Sequence, residues 1–321
     1  MDKKQSSSLK SSGQELCATC GKPTGNSFRG SLTGWIFQDK RCTCAEAEKQ
    51  SQPLLPESME ILDLIGVGGM GSVYRVNNHC RQAIVAVKVM RKELVADQNA
   101  VARFQQEVEA AAKLEHPNLV EVYGFGQGVD GSLYLEMEYL EGPNLATLIE
   151  AIGPIPEDRA LKLFEQIACG LSHAHQMRVV HRDLKPSNMI IQKDENGEDL
   201  VKVVDFGIAK VLDKGSDGAT SKLTQTGDIL GSPFYMSPEQ CQGEALGPLS
   251  DVYSFGCVMY QCLTGRPPFT EENPVKTVLQ HLYDEPPPFS QTAPDTPISS
   301  GLMDVVLTCL EKKPVRRYKS M

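Results

Sequence analysis

Hydrophobic positions along the chain change their period about halfway through it. Up to residue 139 they form alternating or short continuous runs, which predict β-strands because successive strand residues face opposite sides of a sheet. From residue 145 they recur every three or four residues, which predicts helices. The predicted strands cover residues 59–65, 73–76, 84–89, 120–126 and 133–139. The predicted helices cover residues 97–114, 145–151 and 156–175.

The stretch from Val180 to Asn188 reads V-H-R-D-L-K-P-S-N and carries the most chemistry. It lies between two apolar runs, Val179–Val180 and Met189–Ile191, that predict short buried β segments. Buried segments on both sides hold a polar loop rigidly, as a scaffold does for catalytic groups. Another apolar run at 201–204 is followed by D-F-G at 205–207, which begins seventeen residues after Asn188.

A glycine-rich stretch, G-V-G-G-M-G-S-V-Y, occupies residues 66–74, directly after the first predicted strand. A lone G-x-G-x-x-G also occurs in the Rossmann turn, where it opens a helix. Here the next residues, Val73 to Val76, are rich in β-formers, so the loop is predicted between two strands. Glycines allow a backbone to lie over phosphates at a distance that side chains would prevent.

The H-R-D-L-x-x-x-N pattern followed by D-F-G resembles the catalytic core of protein kinases. Residues 59–321 carry the resemblance, and runs such as 223–226 are similar to bacterial eukaryotic-type (Hanks-type) serine/threonine protein kinases. The resemblance implies an α+β, bilobal protein-kinase fold, with an N lobe at 59–141 and a C lobe at 142–321. The family continues with a last C-lobe helix, so the resemblance implies that this helix is incomplete here.

The resemblance also implies where ATP binds. Lys88, in a V-A-x-K pattern, would contact the phosphates, and Glu107 would hold Lys88; Glu109 is an alternative that faces about 200° away on the helix. Met137 takes the gatekeeper place, and residues 138–140 form the hinge whose backbone would bond adenine. The residues expected to bind ATP are Ile65, Gly66, Val67, Gly68, Gly69, Met70, Gly71, Ser72, Val73, Ala86, Lys88, Glu107, Met137, Glu138 and Leu140.

In the resemblance, Asp183 accepts the proton of the attacking hydroxyl and Lys185 neutralises the γ-phosphate. Asn188 and Asp205 supply the hard oxygen ligands that Mg²⁺ prefers. Lys185, two residues after Asp183, favours Ser/Thr over Tyr as the acceptor, so we expect ATP-dependent phosphorylation of protein substrates. A kinase-like adaptor and a small-molecule phosphotransferase remain alternatives.

Two structural expectations follow from the same resemblance, and a third follows from the residues alone. Asp251 would cap the backbone of the catalytic loop, and Arg317 would pair with Glu239 of the S-P-E run, a variant of A-P-E. His173 and His175 have no partner visible in the sequence, so we expect them to pack or to face solvent.

The segment between Asp205 and Glu239 is polar and is of the kind that phosphorylation orders. Thr224 and Thr226 are the expected sites of activating autophosphorylation, and Thr220 and Ser221 could share this role. A phosphothreonine there would reach Arg182 beside the catalytic base. Two copies of the chain would then associate so that one phosphorylates the other.

The front of the chain holds a separate signal. Cys17-x-x-Cys20 and Cys42-x-Cys44 lie in a predicted four-cysteine module at 16–50, similar to a zinc ribbon, after a disordered tail at 1–15 and before a linker at 51–58. Four thiolates suit tetrahedral Zn²⁺, and so small a module has too little core to fold without a staple. The second pair has one intervening residue instead of two, so a redox dithiol and unliganded cysteines remain alternatives.

Charge is distributed unevenly over the 321 residues, whose net charge is −9. Residues 1–52 hold eight basic and five acidic residues, and the rest holds 24 basic and 36 acidic ones. A body this acidic argues against nucleic acid as a partner. No run of 18 apolar residues predicts a membrane segment, and the polar start lacks a signal peptide's apolar core, so we expect a cytoplasmic protein.

Overall fold

The computed structural model describes residues 53–68, 71–91, 98–207, 233–271 and 273–321. The chain from Leu54 to Met321 forms one compact unit. Within this unit, a β-sheet lobe precedes a helical lobe, which confirms the predicted bilobal architecture. Ten residues with expected roles lie outside the described ranges: Cys17, Cys20, Cys42, Cys44, Gly69, Met70, Thr220, Ser221, Thr224 and Thr226.

The N lobe is a five-stranded antiparallel sheet in the order β1-β2-β3-β5-β4. One face of the sheet buries Tyr74, Val76, Val85 and Val87 in a common cluster. Because side chains alternate along a strand, the opposite face carries Ala86 and Lys88. The strands are β1 (Met59–Gly68), β2 (Gly71–Asn78), β3 (Ala83–Met90), β4 (Val122–Gln127) and β5 (Leu133–Glu138), and helix α1 spans Gln98–Ala111.

The glycine-rich stretch joins the ends of β1 and β2, which pair antiparallel, with Gly68 opposite Gly71. No helix opens here, so the Rossmann alternative is wrong. Gly71 lies so close to β3 that a Cβ atom on it would come within 2.0 Å of the Val89 carbonyl oxygen. Only glycine fits that approach, so the first residue of β2 must be glycine for the two strands to pair this closely.

The C lobe is built around helix α5 (Pro248–Thr264), whose residues are buried from Ser250 to its end. A helix that is buried all round forms the centre of a core, and α3 (Glu157–Gln176) and α8 (Ser300–Cys309) pack against it. The other described helices of the lobe are α2 (Leu145–Ile152), α4 (Pro238–Cys241), α6 (Pro274–Tyr283) and α7 (Phe289–Thr292). Across the described ranges, none of the helices combines the length and the apolar character that a bilayer span requires.

A two-stranded antiparallel hairpin, β6 (Met189–Lys193) and β7 (Asp199–Val203), follows the catalytic loop. The segment predicted at Met189–Ile191 is therefore confirmed as a strand. The one predicted at Val179–Val180 is wrong, since no strand pairs with it in the described part of the chain. The Val179 amide instead donates to the Ala174 carbonyl at 2.9 Å and closes the end of α3. An apolar run indicates burial, and here burial comes from helix packing.

The chain leaves the N lobe through Tyr139 to Glu141 and then meets β6 directly. Gly142 has a φ of 144°, and a Cβ atom there would lie 2.1 Å from the Ile191 carbonyl oxygen. The Ile191 amide also donates to the Pro143 carbonyl at 2.9 Å. The backbone at Gly142 therefore packs directly against the backbone of β6 where the C lobe begins, and only glycine permits so close a contact.

The predicted pair between Glu239 and Arg317 is confirmed. Arg317 donates through Nη1 to Oε1 at 2.8 Å and through Nη2 to Oε2 at 3.0 Å. Its side chain is 0% exposed and that of Glu239 is 7% exposed. Burial raises the pKa of Glu239, but hydrogen bonds from Arg317, the backbone and Ser250, together with the charge of Arg317, lower it overall. The pair joins the S-P-E segment to the end of the described chain.

Arg317→Met should lower the free energy of unfolding by about 3–5 kcal/mol, because it leaves the Glu239 carboxylate buried without its cation. Arg316→Met is the matched control, since that side chain is 63% exposed and its Glu311 partner is 3.9 Å away. We expect the control to lose less than about 1 kcal/mol. Urea unfolding followed by circular dichroism measures both. Equal losses in the two variants would contradict the assigned role of the pair.

Candidate active site

The backbone of the catalytic loop is held by Asp251 of α5. Its carboxylate accepts the His181 amide at 2.8 Å and the Arg182 amide at 2.9 Å. Asp251 is 1% exposed, so both bonds are shielded from water. The predicted cap is confirmed, and the loop is anchored to the most buried helix of the lobe.

His175 was not identified as a functional residue from the sequence. Its Nε2 atom lies 2.8 Å from Oδ2 of Asp251, so it contacts the same carboxylate that caps the loop. His175 therefore packs in the interior, one of the two outcomes expected for it, and does so against a carboxylate that the sequence did not reveal. The partner lies 76 residues away, and no local pattern joins the two.

The turn before the catalytic base is strained. Arg182 has a φ of 64°, in the left-handed region that side chains disfavour. Its amide is held by Asp251 at 2.9 Å and its carbonyl accepts a bond from Gln240 Nε2 at 3.4 Å. Surrounding contacts of this kind maintain a backbone conformation that costs on the order of 1–3 kcal/mol. This turn sets the direction in which the Asp183 side chain projects from the loop.

Asp183, Lys185 and Asn188 come together as predicted. Lys185 Nζ lies 2.9 Å from Oδ2 of Asp183, and Asn188 Nδ2 donates to the Asp183 carbonyl at 2.9 Å. Because the amide nitrogen of Asn188 bonds the loop, its Oδ1 atom is the one that a metal ion would use. The side chain of Asn188 thus orients the base and can act as a ligand.

Asp205 adjoins this group, because the Val204 amide donates to the Asn188 carbonyl at 2.9 Å. Lys88 Nζ lies 2.7 Å from Oδ1 of Asp205. Burial raises the pKa of Asp205, but the charge and hydrogen bond of Lys88 together with the charge of Lys185 lower it overall. Asp205 is therefore an ionised carboxylate at neutral pH, as a Mg²⁺ ligand must be.

His181 has an architectural role. Its ring lies 4.9 Å from that of Phe206, and its Nε2 is 3.0 Å from the Val204 carbonyl oxygen. Its Nδ1 accepts the Asp183 amide at 3.3 Å. Burial lowers the pKa of His181, so the ring is neutral and serves as one donor and one acceptor within the loop.

The expected contact between Lys88 and Glu107 does not occur in the structure. Lys88 pairs with Asp205, and Glu107 Oε1 lies 3.0 Å from Arg182 Nη1. The alternative, Glu109, is exposed. Several carboxylates and cations compete at close range here, and the position of α1 brings Glu107 within reach of Arg182. Glu107 thus lies in the cleft but beside a different cation.

The adenine end of the predicted site lies on the free face of the sheet. Val73 is opposite Lys88, and Ala86 is opposite Met137. Ile65 and Val67 on β1 are 44% and 38% exposed, so two apolar side chains at the cleft edge lack cover. The remaining described residues of the predicted site lie on β1 (Gly66, Gly68), on β2 (Gly71, Ser72), at the end of β5 (Glu138) and in the hinge (Leu140).

These residues fit a magnesium nucleotide. A Cβ atom on Gly66 would meet nothing within 4 Å, so the backbone there presents an open face suited to phosphates. Asn188 and Asp205 supply hard oxygen donors beside Lys88 and Lys185. Among the described residues, no group of three or more His, Cys, Asp or Glu could hold a metal ion. A metal ion here would be held by Asn188 and Asp205, whose hard oxygen donors Mg²⁺ prefers.

Comparisons with known proteins agree with this geometry. The family model described as "Protein kinase domain" matches residues 59–321. The serine/threonine-protein kinase pkn3 of Myxococcus xanthus is 42% identical over 257 residues, which cover 80% of this chain and 47% of the relative. The serine/threonine-protein kinase PknB of Mycobacterium leprae is 38% identical over 84% of this chain and 42% of its own length. The chain thus spans less than half of either relative.

A solved structure shares the fold. Rad53 1-466 in complex with AMP-PNP superposes with a TM-score of 0.66 at 27% identity, covering 81% of this chain and 62% of that one. The family match extends over most of the chain and includes every catalytic-loop residue described above. The chain belongs to the protein kinase family, and its residues 59–321 form a domain similar to those of bacterial serine/threonine protein kinases.

Proposed function

We propose that this protein transfers the γ-phosphate of Mg-ATP to serine and threonine hydroxyls of protein substrates. The observation that carries the proposal is the convergence of Asp183, Lys185 and Asn188 with Asp205 and Lys88 in one cleft, at contacts of 2.7–2.9 Å. Phosphoryl transfer requires mainly positioned groups and neutralised charge. This cleft contains both.

In the proposed reaction, Asp183 orients the acceptor hydroxyl and takes its proton. Lys185, 2.9 Å from that carboxylate, turns to the transferring phosphate as negative charge shifts onto the leaving side. Asn188 and Asp205 would hold Mg²⁺, which when bound neutralises charge on the phosphates. Lys88 is close enough to Asp205, at 2.7 Å, to contact the same phosphates.

Two other functions would use the same fold. A non-catalytic adaptor would retain the lobes without turnover, and a small-molecule phosphotransferase would not modify proteins. The relatives pkn3 and PknB support the proposed class, since both are serine/threonine-protein kinases. Incubation with radiolabelled ATP and a generic protein substrate separates the proposed function from the other two.

Asp183→Asn and Lys88→Met should each reduce kcat by at least ~10²-fold, because each removes a charged group that acts on the transition state. The control is Asp304→Asn, an exposed carboxylate on α8. Steady-state phosphorylation of a protein substrate measures the three variants. Activity above about a third of wild type in either cleft variant, with the control unaffected, would refute the roles assigned by analogy with the kinase mechanism.

We further propose that Cys17, Cys20, Cys42 and Cys44 bind one structural Zn²⁺. The support is chemical: four thiolates match the tetrahedral preference of zinc, and binding would supply folding free energy that so small a module lacks. These residues lie outside the described ranges. A redox dithiol or unliganded cysteines are the competing outcomes.

Elemental analysis of the purified full chain should find about one zinc equivalent per molecule. Cys17→Ser/Cys20→Ser should abolish that content, because two of four ligands are lost. Cys80→Ser is the control, since Cys80 is a free, exposed cysteine in the kinase domain. A wild-type protein that contains no metal and whose first 50 residues nonetheless resist proteolysis would contradict the proposal.

The proposed kinase is activated by autophosphorylation at Thr224 or Thr226, both outside the described residues. The support comes from Arg182, which pairs with Glu107 at 3.0 Å while Lys88 pairs with Asp205. A phosphothreonine carries about −1.5 to −2 charges and would outcompete one carboxylate for Arg182. Glu107 would then be available to Lys88, and Asp205 to the metal ion.

Mass spectrometry after incubation with Mg-ATP should find phosphate at Thr224 or Thr226 in wild type and none in Asp183→Asn. Thr224→Ala/Thr226→Ala should lower activity severalfold, because Glu107 then keeps Arg182. If two copies modify each other, the initial rate of labelling should rise with the square of the protein concentration. Full activity in the double alanine variant would instead indicate a constitutively active kinase.

A further inference from the structure

An ion pair joins the two lobes behind the hinge. Lys202 Nζ on β7 lies 2.8 Å from Oε1 of Glu138, the last residue of β5. The same carboxylate oxygen accepts the Glu121 amide at 2.7 Å, and Lys202 also donates to the Leu119 carbonyl at 3.3 Å. Two side chains thus connect β5 and the segment just before β4 to a strand of the C lobe.

The ion pair between Glu138 and Lys202 is better shielded from solvent than the surface ion pairs around it. The Lys202 and Glu138 side chains are 15% and 20% exposed, whereas Lys193, on the same hairpin and paired with Asp199, is 64% exposed. A shielded pair with further hydrogen bonds keeps one geometry, while an exposed lysine exchanges among many. The pair formed by Glu138 and Lys202 can therefore fix a distance between the lobes.

The two residues lie next to the two ends of the proposed nucleotide site. Glu138 is the first residue of the hinge, whose backbone is expected to bond adenine. Lys202 is three residues before Asp205, the expected ligand of the phosphate-bound metal ion. The backbone beside Lys202 is fixed as well, since the Val120 amide donates to the Val203 carbonyl at 2.9 Å.

We propose that Glu138 and Lys202 are positioning residues for the nucleotide: their contact sets the hinge backbone at the distance from Asp205 that lets one molecule bond both. The inference rests on the proposed function, because it takes ATP as the ligand of the cleft. A ligand that bonds both the hinge backbone and the Asp205 region binds more tightly when the two regions already lie at the right distance, because less conformational entropy is lost on binding.

The same contact determines how well the hinge recognises adenine. The exocyclic amine of adenine is a donor, whereas guanine has a carbonyl acceptor at that place. A fixed backbone carbonyl accepts from the amine and repels the guanine oxygen, so a hinge with a single position discriminates between them. A hinge released from Lys202 can shift and reduce that discrimination.

The experiment measures the dissociation constants of ATP and GTP by titration with Mg²⁺ present, together with KM and kcat, for Lys202→Met and Glu138→Gln. We expect the ATP dissociation constant and KM to rise at least ~5-fold, kcat to change less than ~2-fold, and the preference for ATP over GTP to fall at least ~3-fold. The double variant should match the single ones, because both remove one contact. Lys202→Arg keeps the cation and should restore ATP binding to within ~2-fold of wild type.

Lys193→Met is the matched control, since it removes an exposed cation from the same hairpin and should change neither nucleotide constant. Glu138→Gln keeps the side-chain size and an oxygen for the Glu121 amide, so it tests the inference even if Lys202→Met does not fold. Equal weakening of ATP and GTP, or constants unchanged from the control, would overturn the inference. A higher kcat with unchanged KM would also overturn it, because the pair would then restrain lobe closure. A wild-type protein that binds ATP but phosphorylates nothing would refute the proposed function and leave this binding test valid.

Discussion

The carboxylate of Asp251 is the contact on which the catalytic loop depends. It accepts two consecutive backbone amides, from His181 and Arg182, and contacts His175 as well, while almost fully buried. A buried loop without regular structure must satisfy its amides in some such way. Because the two amides converge on one group, the backbone bends sharply at Arg182. The direction of Asp183, and with it the chemistry of the cleft, follows from that bend.

Electrostatic pairing governs the rest of the cleft. Three carboxylates there each have a cation within 3.0 Å, and the pairs are Lys88 with Asp205, Lys185 with Asp183, and Arg182 with Glu107. A polyanion that entered such a site would compete with the carboxylates for these cations. The cost of separating charges would thereby be reduced, because a cation that lost a carboxylate would gain another anionic partner.

The sequence was sufficient for features whose signal is local or whose motif specifies both partners. The strand-loop-strand order around Gly68 and Gly71 is a local pattern, and the pairing of Glu239 with Arg317 is implied by family motifs at both positions. The partner of Glu107 could not be predicted, since it depends on where α1 lies relative to the loop. The role of His175 was hidden for a similar reason: its partner is distant in the chain and no pattern links them.

The end of the hinge has a mechanical consequence. At Gly142 the backbone touches the Ile191 carbonyl, and the next residue accepts a bond from the Ile191 amide at 2.9 Å. On the other side, Glu138 is bonded to Glu121 and to Lys202. Only Tyr139 to Glu141 remain between these two fixed points. A link of three residues can bend but has no slack for sliding, so the lobes can rock about a pivot and cannot shear past each other.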